Sequence, residues 1–127
     1  MPATGFFEWD KSETPRQPWY FRLKHAELFA FAGLYDVWRD PKTGAEIQSY
    51  TIITTEANGV VGKIHHRMPV ILLKEDEDEW LNPDIVEPER LLPLLKQYPD
   101  QEMEAYPVST AVNMPKNDTE EVMKPLA

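Results

Sequence analysis

Two short stretches of this 127-residue chain hold the residue types that acid–base chemistry needs. The first is Glu8, set within Phe6-Phe7-Glu8-Trp9. Aromatic neighbours that strip water from a carboxyl raise its pKa, which suits it to general acid or base work. Strand alternation offers the other reading, with Glu8 on the solvent side. The second stretch is His65-His66-Arg67, at the end of an irregular segment and directly before an apolar run. A loop that meets a rigid strand is a frequent place for a site. Adjacent histidines are expected to project in different directions, so their spacing makes no shared metal site, and an isolated pair also suits a surface or structural role. The remaining histidine, His25, falls in an expected hairpin turn, and no metal or cofactor is expected. The acidic run from Glu75 to Glu79 lacks the spaced ligands and the glycine of a calcium loop. It reads as solvated carboxylates favoured near a helix start. The absence of cysteine excludes a disulfide, a thiolate metal site and a thiol nucleophile from this sequence. No phosphate loop, dinucleotide fingerprint or nucleophile elbow is present. Aromatic residues are frequent enough to stack on bases, but in strands such residues are first of all core.

The elements expected to hold these residues are mostly strands. Gly5 to Trp9 is short, aromatic and bounded by turn formers. Trp19 to Leu23 alternates, placing Trp19, Phe21 and Leu23 on one face and Tyr20 and Arg22 on the other. Leu28 to Trp38 predicts a strand, and Gly33 within it a bulge or a close backbone approach. The turn chemistry of Asp40-Pro41-Lys42-Thr43-Gly44 joins that strand to Glu46–Thr55 as an antiparallel hairpin. Glu56 to Arg67 is irregular, with room for a helical turn near Val60–Val61. Met68 to Leu73 predicts a buried strand, Lys74 to Leu81 a surface helix, and Pro88 to Tyr98 a second helix that Pro93 kinks or limits to about two turns. Met103 to Val108 predicts a last strand, followed by a polar tail. The class is α+β, mostly antiparallel, with helices late in the chain.

Apolar residues at 42% and charged residues at 28% are those of a globular chain with a moderate core. No apolar run approaches the ~20 residues of a membrane span, and no secretory signal is visible at the start. An intracellular, cytoplasmic setting is expected. The net charge of −9 runs against a nucleic-acid partner, yet it is unevenly spread. Residues 1–73 hold eight basic and eight acidic residues, and residues 74–127 hold five and fourteen, so the second part carries the whole excess. That part is expected to be a solvated face turned away from any DNA.

The motifs fall in a recognisable order. Pro2-Ala3-Thr4-Gly5-Phe6-Phe7-Glu8-Trp9, Gln17-Pro18-Trp19-Tyr20 and Phe31-Ala32-Gly33-Leu34-Tyr35 are followed by Tyr50-Thr51-Ile52-Ile53-Thr54-Thr55-Glu56-Ala57-Asn58. Ile64-His65-His66-Arg67-Met68-Pro69-Val70 and the closing Tyr106-Pro107-Val108-Ser109, Val112-Asn113 and Asn117-Asp118 complete the set. This series resembles the C-terminal two-thirds or so of an SOS-response-associated peptidase (SRAP) domain. The resemblance implies a barrel-like, mostly antiparallel sheet, with residues 1–127 forming a single partial domain. It implies covalent attachment to abasic sites in single-stranded DNA, with an associated autopeptidase activity. The family's nucleophile is a cysteine at its mature N-terminus, whose amine condenses with the sugar aldehyde and whose thiol closes a thiazolidine. Motif by motif, Glu8 takes the role that assists amine and imine chemistry, and His65 the role that helps open the sugar. Arg67 becomes a phosphate contact, with a structural ion pair as the alternative. The cysteine and the basic N-terminal portion of the family have no counterpart here. The chain is therefore expected to be inactive alone, to need an N-terminal segment from elsewhere, and to be marginally stable. A non-catalytic module reusing the same sheet is the alternative, and a metal-independent hydrolase built on Glu8 and His65 is a third.

Overall fold

Alternation predicts a strand with one wet face at Trp19–Leu23, but Tyr20 and Phe21 are both buried, so that strand is covered on both sides. The computed structural model describes residues 1–127. Strands β1 (Pro2–Ala3), β2 (Phe6–Asp10), β3 (Gln17–Leu23), β4 (Phe29–Ala30), β5 (Gly33–Arg39), β6 (Glu46–Ile52), β7 (Thr54–Glu56) and β8 (Arg67–Pro69) come first. Two short helices, α1 (Glu77–Leu81) and α2 (Pro88–Leu91), precede the last strand, β9 (Met103–Pro107). Every ladder is antiparallel, in four small sheets: β1–β4, β2–β3–β9, β5–β6 and β7–β8. The architecture is mixed α and β, with helices late as the sequence predicts, and the ladders do not join into a closed barrel.

The three-stranded sheet is the platform for Glu8. Its register aligns Phe6 with Phe21 and Ala105, and Glu8 with Trp19 and Pro107, so these residues share one face. That face packs on a core of Phe21, Leu23, Phe29, Phe31, Val61, Met68, Ile71 and Met103. Phe6 stacks on Phe21 with centroids 5.1 Å apart, and Phe29 meets Phe31 edge-on at 5.1 Å. Full burial of each such side chain contributes about 1.5–3 kcal/mol, and each aromatic pair about 0.5–1.5 kcal/mol more. The opposite face, with Tyr20 and Tyr106, is covered by the C-terminal tail. The Tyr106 hydroxyl donates to the Met123 carbonyl at 2.8 Å, and the Leu126 amide donates to Pro107 at 2.9 Å. The tail, expected to be polar, buries Val122, while Tyr20 is enclosed by the rings of Phe7 and Tyr106 at 5.0 and 5.8 Å.

Two expected strands are each broken once, and both breaks serve a single crossing. Leu28–Trp38 splits at the fully buried Ala32, and Glu46–Thr55 splits at Ile53. There the Ala32 amide donates to Val70 (2.9 Å), the Val70 amide to Ile53 (2.8 Å), and the Ile53 amide to Ala32 (3.0 Å). Three chain segments thus exchange partners at one point: β4 leaves to pair with β1, and β7 leaves to pair with β8. Gly33 follows directly, and a Cβ there would stand 3.1 Å from the Thr51 carbonyl oxygen, the close backbone approach the glycine predicts. Beyond the crossing, β5 and β6 run out as a hairpin through the Asp40–Gly44 turn.

The helices cover a second cluster of Ala32, Val70, Leu72 and Leu94, with Trp80, Leu91 and Leu95 against it. Pro88 starts α2 at a position where its missing N–H is no loss. Pro93 then sits in a 3-10 turn over Leu92–Leu94, so the helical path stops there and does not reach Tyr98. Leu92 faces outward, whereas Leu94 is buried. His25 lies in the link between β3 and β4, which belong to different sheets, so it does not occupy a hairpin turn. No helix is long and apolar enough to cross a membrane.

Candidate functional site

Glu8 reaches the core-side face of the central sheet because strand register leaves it no other choice: with Phe6 inward, Glu8 is inward too. Its cross-strand neighbour is Trp19, whose indole N–H is itself buried without a partner. The solvent-side reading of Glu8 therefore does not hold, and the residue is half-buried. Burial pushes its carboxyl above the ordinary value of 4.5. His65, then Lys11 and, more weakly, His66 pull the other way without cancelling that effect. Gly5 allows the strand to start here, since a Cβ at this position would lie 2.2 Å from the Tyr20 ring and 2.6 Å from the Phe21 carbonyl.

His65 is delivered by a different part of the chain. A 3-10 turn over Val61–Lys63 ends with the His65 amide donating to the Val61 carbonyl at 2.9 Å. The start of that turn is held by Asn58, whose side-chain oxygen accepts from the amides of Val60 (3.2 Å) and Val61 (3.0 Å). Beyond the turn, His65 Nδ1 lies 3.1 Å from the Arg67 amide and 3.0 Å from the Arg67 carbonyl. It accepts from the first or donates to the second according to its tautomer. Either way Nδ1 is occupied by backbone, and Nε2 is the nitrogen left for chemistry. The His65 and His66 rings stack at 4.7 Å and 28°. The expectation that they project in different directions assumes an extended chain and does not hold here, since the segment is not a strand and the two rings stack. His66 is the exposed member of the pair.

Arg67 opens β8 opposite Glu56. Its Nη2 donates to the Thr54 carbonyl at 2.8 Å and to the Thr54 hydroxyl at 3.0 Å. None of the chain's salt bridges includes Arg67, so the structural ion pair is not formed and the guanidinium keeps its full charge on a neutral clamp. The structure thus places His65 near enough to Glu8 to influence its charge, and ties the His65 ring to the Arg67 backbone. No group of three or more His, Asp or Glu side chains lies close enough to hold a metal ion. A groove on the other side of the central sheet, lined by Tyr20, Arg22, Tyr106 and Lys124 among others, contains none of the three residues.

Three supporting residues are not singled out by sequence reasoning. Asn58 reads as a breaker beside Gly59, yet it is buried and also donates to the Tyr98 carbonyl at 2.7 Å. Thr54 orients Arg67 from the neighbouring strand. The Trp9 indole donates to the Asn113 side chain at 2.6 Å, tying the strand of Glu8 to the closing segment. Asn58, Thr54, Trp9 and Asn113 fall within the motifs that carry the resemblance, which is the signal the sequence gives for them, without assigning any of them a role.

Known proteins share the framework that carries these residues. Residues 1–115 match the family described as SOS response associated peptidase (SRAP). The abasic site processing protein YoqW of Bacillus subtilis (strain 168) is 46% identical over 125 residues, which is 98% of this chain and 55% of that protein. The abasic site processing protein HMCES of Gallus gallus is 34% identical over 143 residues, covering 98% of this chain and 42% of that protein. A crystal structure of a protein from Bacteroides thetaiotaomicron superposes with a TM-score of 0.87 at 36% identity, covering 99% of this chain and 56% of that one. The chain spans about half the length of the curated relatives it matches. With the motifs around Glu8, His65 and Arg67 inside the matched region, the chain belongs to the SRAP family.

Proposed function

We propose that this chain takes part in the processing of abasic sites in single-stranded DNA, supplying the acid–base half of a covalent capture whose nucleophile comes from outside it. The observation that carries this reading is a half-buried Glu8 on the core-side face, within the electrostatic influence of a His65 whose Nδ1 is held by backbone, in a sequence without cysteine. The names of YoqW and HMCES support the substrate class.

In the proposed reaction His65, through Nε2, moves a proton on the closed deoxyribose so that the ring opens to the aldehyde. A primary amine adds to the aldehyde carbon, and water leaves as the imine forms. Glu8, with its raised pKa, gives the proton that the departing hydroxyl needs and takes one from the attacking amine. A thiol on the same nucleophile then adds to the imine carbon, its proton passing to nitrogen, and a thiazolidine results. Arg67 holds a flanking phosphate, since its charge is uncommitted. The associated autopeptidase activity would use the same Glu8. On this reading residues 1–127 are a partial SRAP domain, a barrel-like sheet closes only in the completed fold, and a reducing cytoplasm is the setting.

The test is a single-stranded oligonucleotide with one abasic site, resolved on a denaturing gel after incubation with this chain alone or with a relative's cysteine-first segment added. The expected result is a shifted band in the mixture only, lost with Glu8→Gln and with His65→Ala. A band from this chain alone would overturn the external nucleophile. No band from a folded mixture would leave a non-catalytic module as the better description.

A further inference from the structure

His66 stands between His65 and Arg67, at the position that the I-H-x-R-M-P-V motif leaves open. It is exposed, and no salt bridge of the chain includes it. His65 Nδ1 is the only histidine ring atom with a hydrogen-bond partner, so no polar contact holds the His66 ring. Ordering an exposed side chain costs entropy. This ring nevertheless lies on the His65 imidazole, with centroids 4.7 Å apart and planes 28° apart. Its backbone is fixed as well. The Ala57 amide donates to the His66 carbonyl at 3.0 Å, one residue before Asn58, which holds the start of the Val61–Lys63 turn. His65 is half-buried and His66 exposed, so the stack covers His65 from the solvent side.

The hydrogen bonds of His65 leave a task for that stack. Nδ1 lies 3.1 Å from a donor, the Arg67 amide, and 3.0 Å from an acceptor, the Arg67 carbonyl. One of the two is satisfied whichever ring nitrogen carries the proton, which suits a group that both takes and gives protons. Both contacts converge on a single atom, and a ring held at one atom can pivot about it and swing Nε2. General acid–base transfer needs heavy atoms about 2.6–3.2 Å apart, and a misplacement of about 1 Å can cost about a hundredfold in rate. A contact on the ring face removes the pivot. We infer that His66 is a positioning residue: its ring, stacked on the His65 imidazole, fixes the plane in which Nε2 is presented. The stack acts as an aromatic surface, since His66 has no ionic partner and is the weakest of the groups that pull on Glu8. Phenylalanine therefore serves in its place. Aromatic pairing favours the stacked arrangement about two- to tenfold over an unstacked one. The inference rests on the proposed function for one thing only, the reaction that Nε2 serves.

The experiment uses the full chain in two arms. In the first, without DNA, nuclear magnetic resonance measures the couplings between the His65 Hα and Hβ protons. One fixed rotamer is expected in the native chain and in His66→Phe, and averaged couplings in His66→Ala. The second arm follows opening of the sugar by capture: methoxyamine adds to the aldehyde of an abasic single-stranded oligonucleotide, and water leaves as the oxime forms. At methoxyamine concentrations where the rate no longer depends on it, ring opening is the slow step and no cysteine is needed. The native chain is expected to accelerate capture, and His65→Ala to abolish the acceleration. His66→Ala should lower it about two- to tenfold, and His66→Phe should restore it. Oligonucleotide affinity, read by fluorescence anisotropy, should be the same for His66→Ala and the native chain, which separates positioning from DNA contact. Because His66 lies outside both cores, unchanged near-ultraviolet circular dichroism reports that the variants are folded. A single His65 rotamer in His66→Ala would overturn the inference, as would a His66→Phe chain that behaves like His66→Ala, or a loss confined to affinity. Native capture no faster than that of His65→Ala, with the rotamer effect intact, removes the proposed role of His65 and leaves the positioning standing. Full acceleration by a His66→Ala chain whose His65 rotamer is unchanged does the reverse.

Discussion

Asn58 anchors the turn that carries His65, and its contribution can be worked from four contacts. Its oxygen caps the amides of Val60 and Val61, and its nitrogen donates to the Tyr98 carbonyl (2.7 Å) and to Met103 Sδ (3.1 Å). Asn58→Leu keeps the volume and removes all four contacts. Loss of a capping side chain costs about 1 kcal/mol. A partly buried carbonyl left without its donor costs about 1–3 kcal/mol more. The expected destabilisation is therefore about 2–4 kcal/mol, a large share of the ~5–15 kcal/mol that holds a typical domain. Asn58→Asp keeps the cap but sets a carboxylate oxygen against the Tyr98 carbonyl, so at neutral pH it should be no better tolerated than Asn58→Leu. Urea unfolding followed by tryptophan fluorescence, with an unchanged slope, measures both. The consequence for the site is read from the His65 ring resonances, which should lose their fixed environment as the Val61–His65 bond loosens. An Asn58→Leu protein within about 0.5 kcal/mol of the native chain would refute the reasoning, because Asn58 would then be a packed residue and not an anchor.

Glu8→Gln tests the raised carboxyl through stability. Folding takes up a proton between the ordinary value of 4.5 and the higher folded-state value, so the native chain loses stability as pH rises through that window and the deficit persists above it. The variant cannot ionise, so it should gain stability over the native chain at about pH 8 and show no gain at about pH 4. Equal urea midpoint differences at the two pH values would contradict the burial effect. Gly5→Ala should cost about 1–3 kcal/mol, since its Cβ would sit 2.2 Å from the Tyr20 ring and 2.6 Å from a backbone oxygen that cannot retreat. Thermal unfolding checks it, and a neutral result would mean the strand can shift freely. Tyr106→Phe removes the 2.8 Å bond to Met123 and should cost about 1 kcal/mol, with faster amide exchange confined to the tail from Glu120 to Leu126.

Local chemistry made some of this arrangement readable and long-range pairing hid the rest. The turn at Asp40–Gly44, the strands at Glu8 and Met103 and the stop before Pro83 follow from residue types within a few positions, and each is present. Glu8 was open between two faces because alternation fixes only relative orientation. The choice was made by Phe6, whose partner Phe21 lies fifteen residues on. Alternation leaves Tyr20 on the outer face, and its burial there comes from the Phe7 ring across the sheet and the Tyr106 ring, which lies more than eighty residues away. The break at Ala32 is marked only by Gly33 beside it, and that at Ile53 leaves no mark in composition, since Thr51, Ile52, Thr54 and Thr55 around it are all β-branched. Both breaks arise where three segments compete for the same backbone partners, which only the folded chain decides. Of the site, His65 and Arg67 were legible through the I-H-x-R-M-P-V resemblance. Thr54 and Asn58 stand in the Tyr50–Asn58 run but carry no chemistry of their own, so their role in holding other residues in place is not legible there.

The distribution of charge predicts how DNA would meet this surface. Four of the five basic residues after position 73 are paired within that half: Lys74 with Glu77, Arg90 with Glu79, Lys96 with Asp76, and Lys124 with Glu121. Arg22 and Arg39 are likewise engaged, with Glu104 and Glu46. The cations left beside the site are Lys11, which acts on Glu8, Arg67, and Lys63 two residues before His65. About three phosphate contacts on single-stranded DNA give a slope of roughly −2 for log affinity against log salt, at about −0.7 per contact. The chain alone should therefore bind an abasic oligonucleotide weakly with that shallow slope, and Arg67→Ala should reduce the slope by about one contact's worth. Fluorescence anisotropy across a salt series measures both. A slope steeper than about −4 from this chain alone would show that it carries a basic surface which its local pairing conceals, and that the acidic half does not turn away from the nucleic acid.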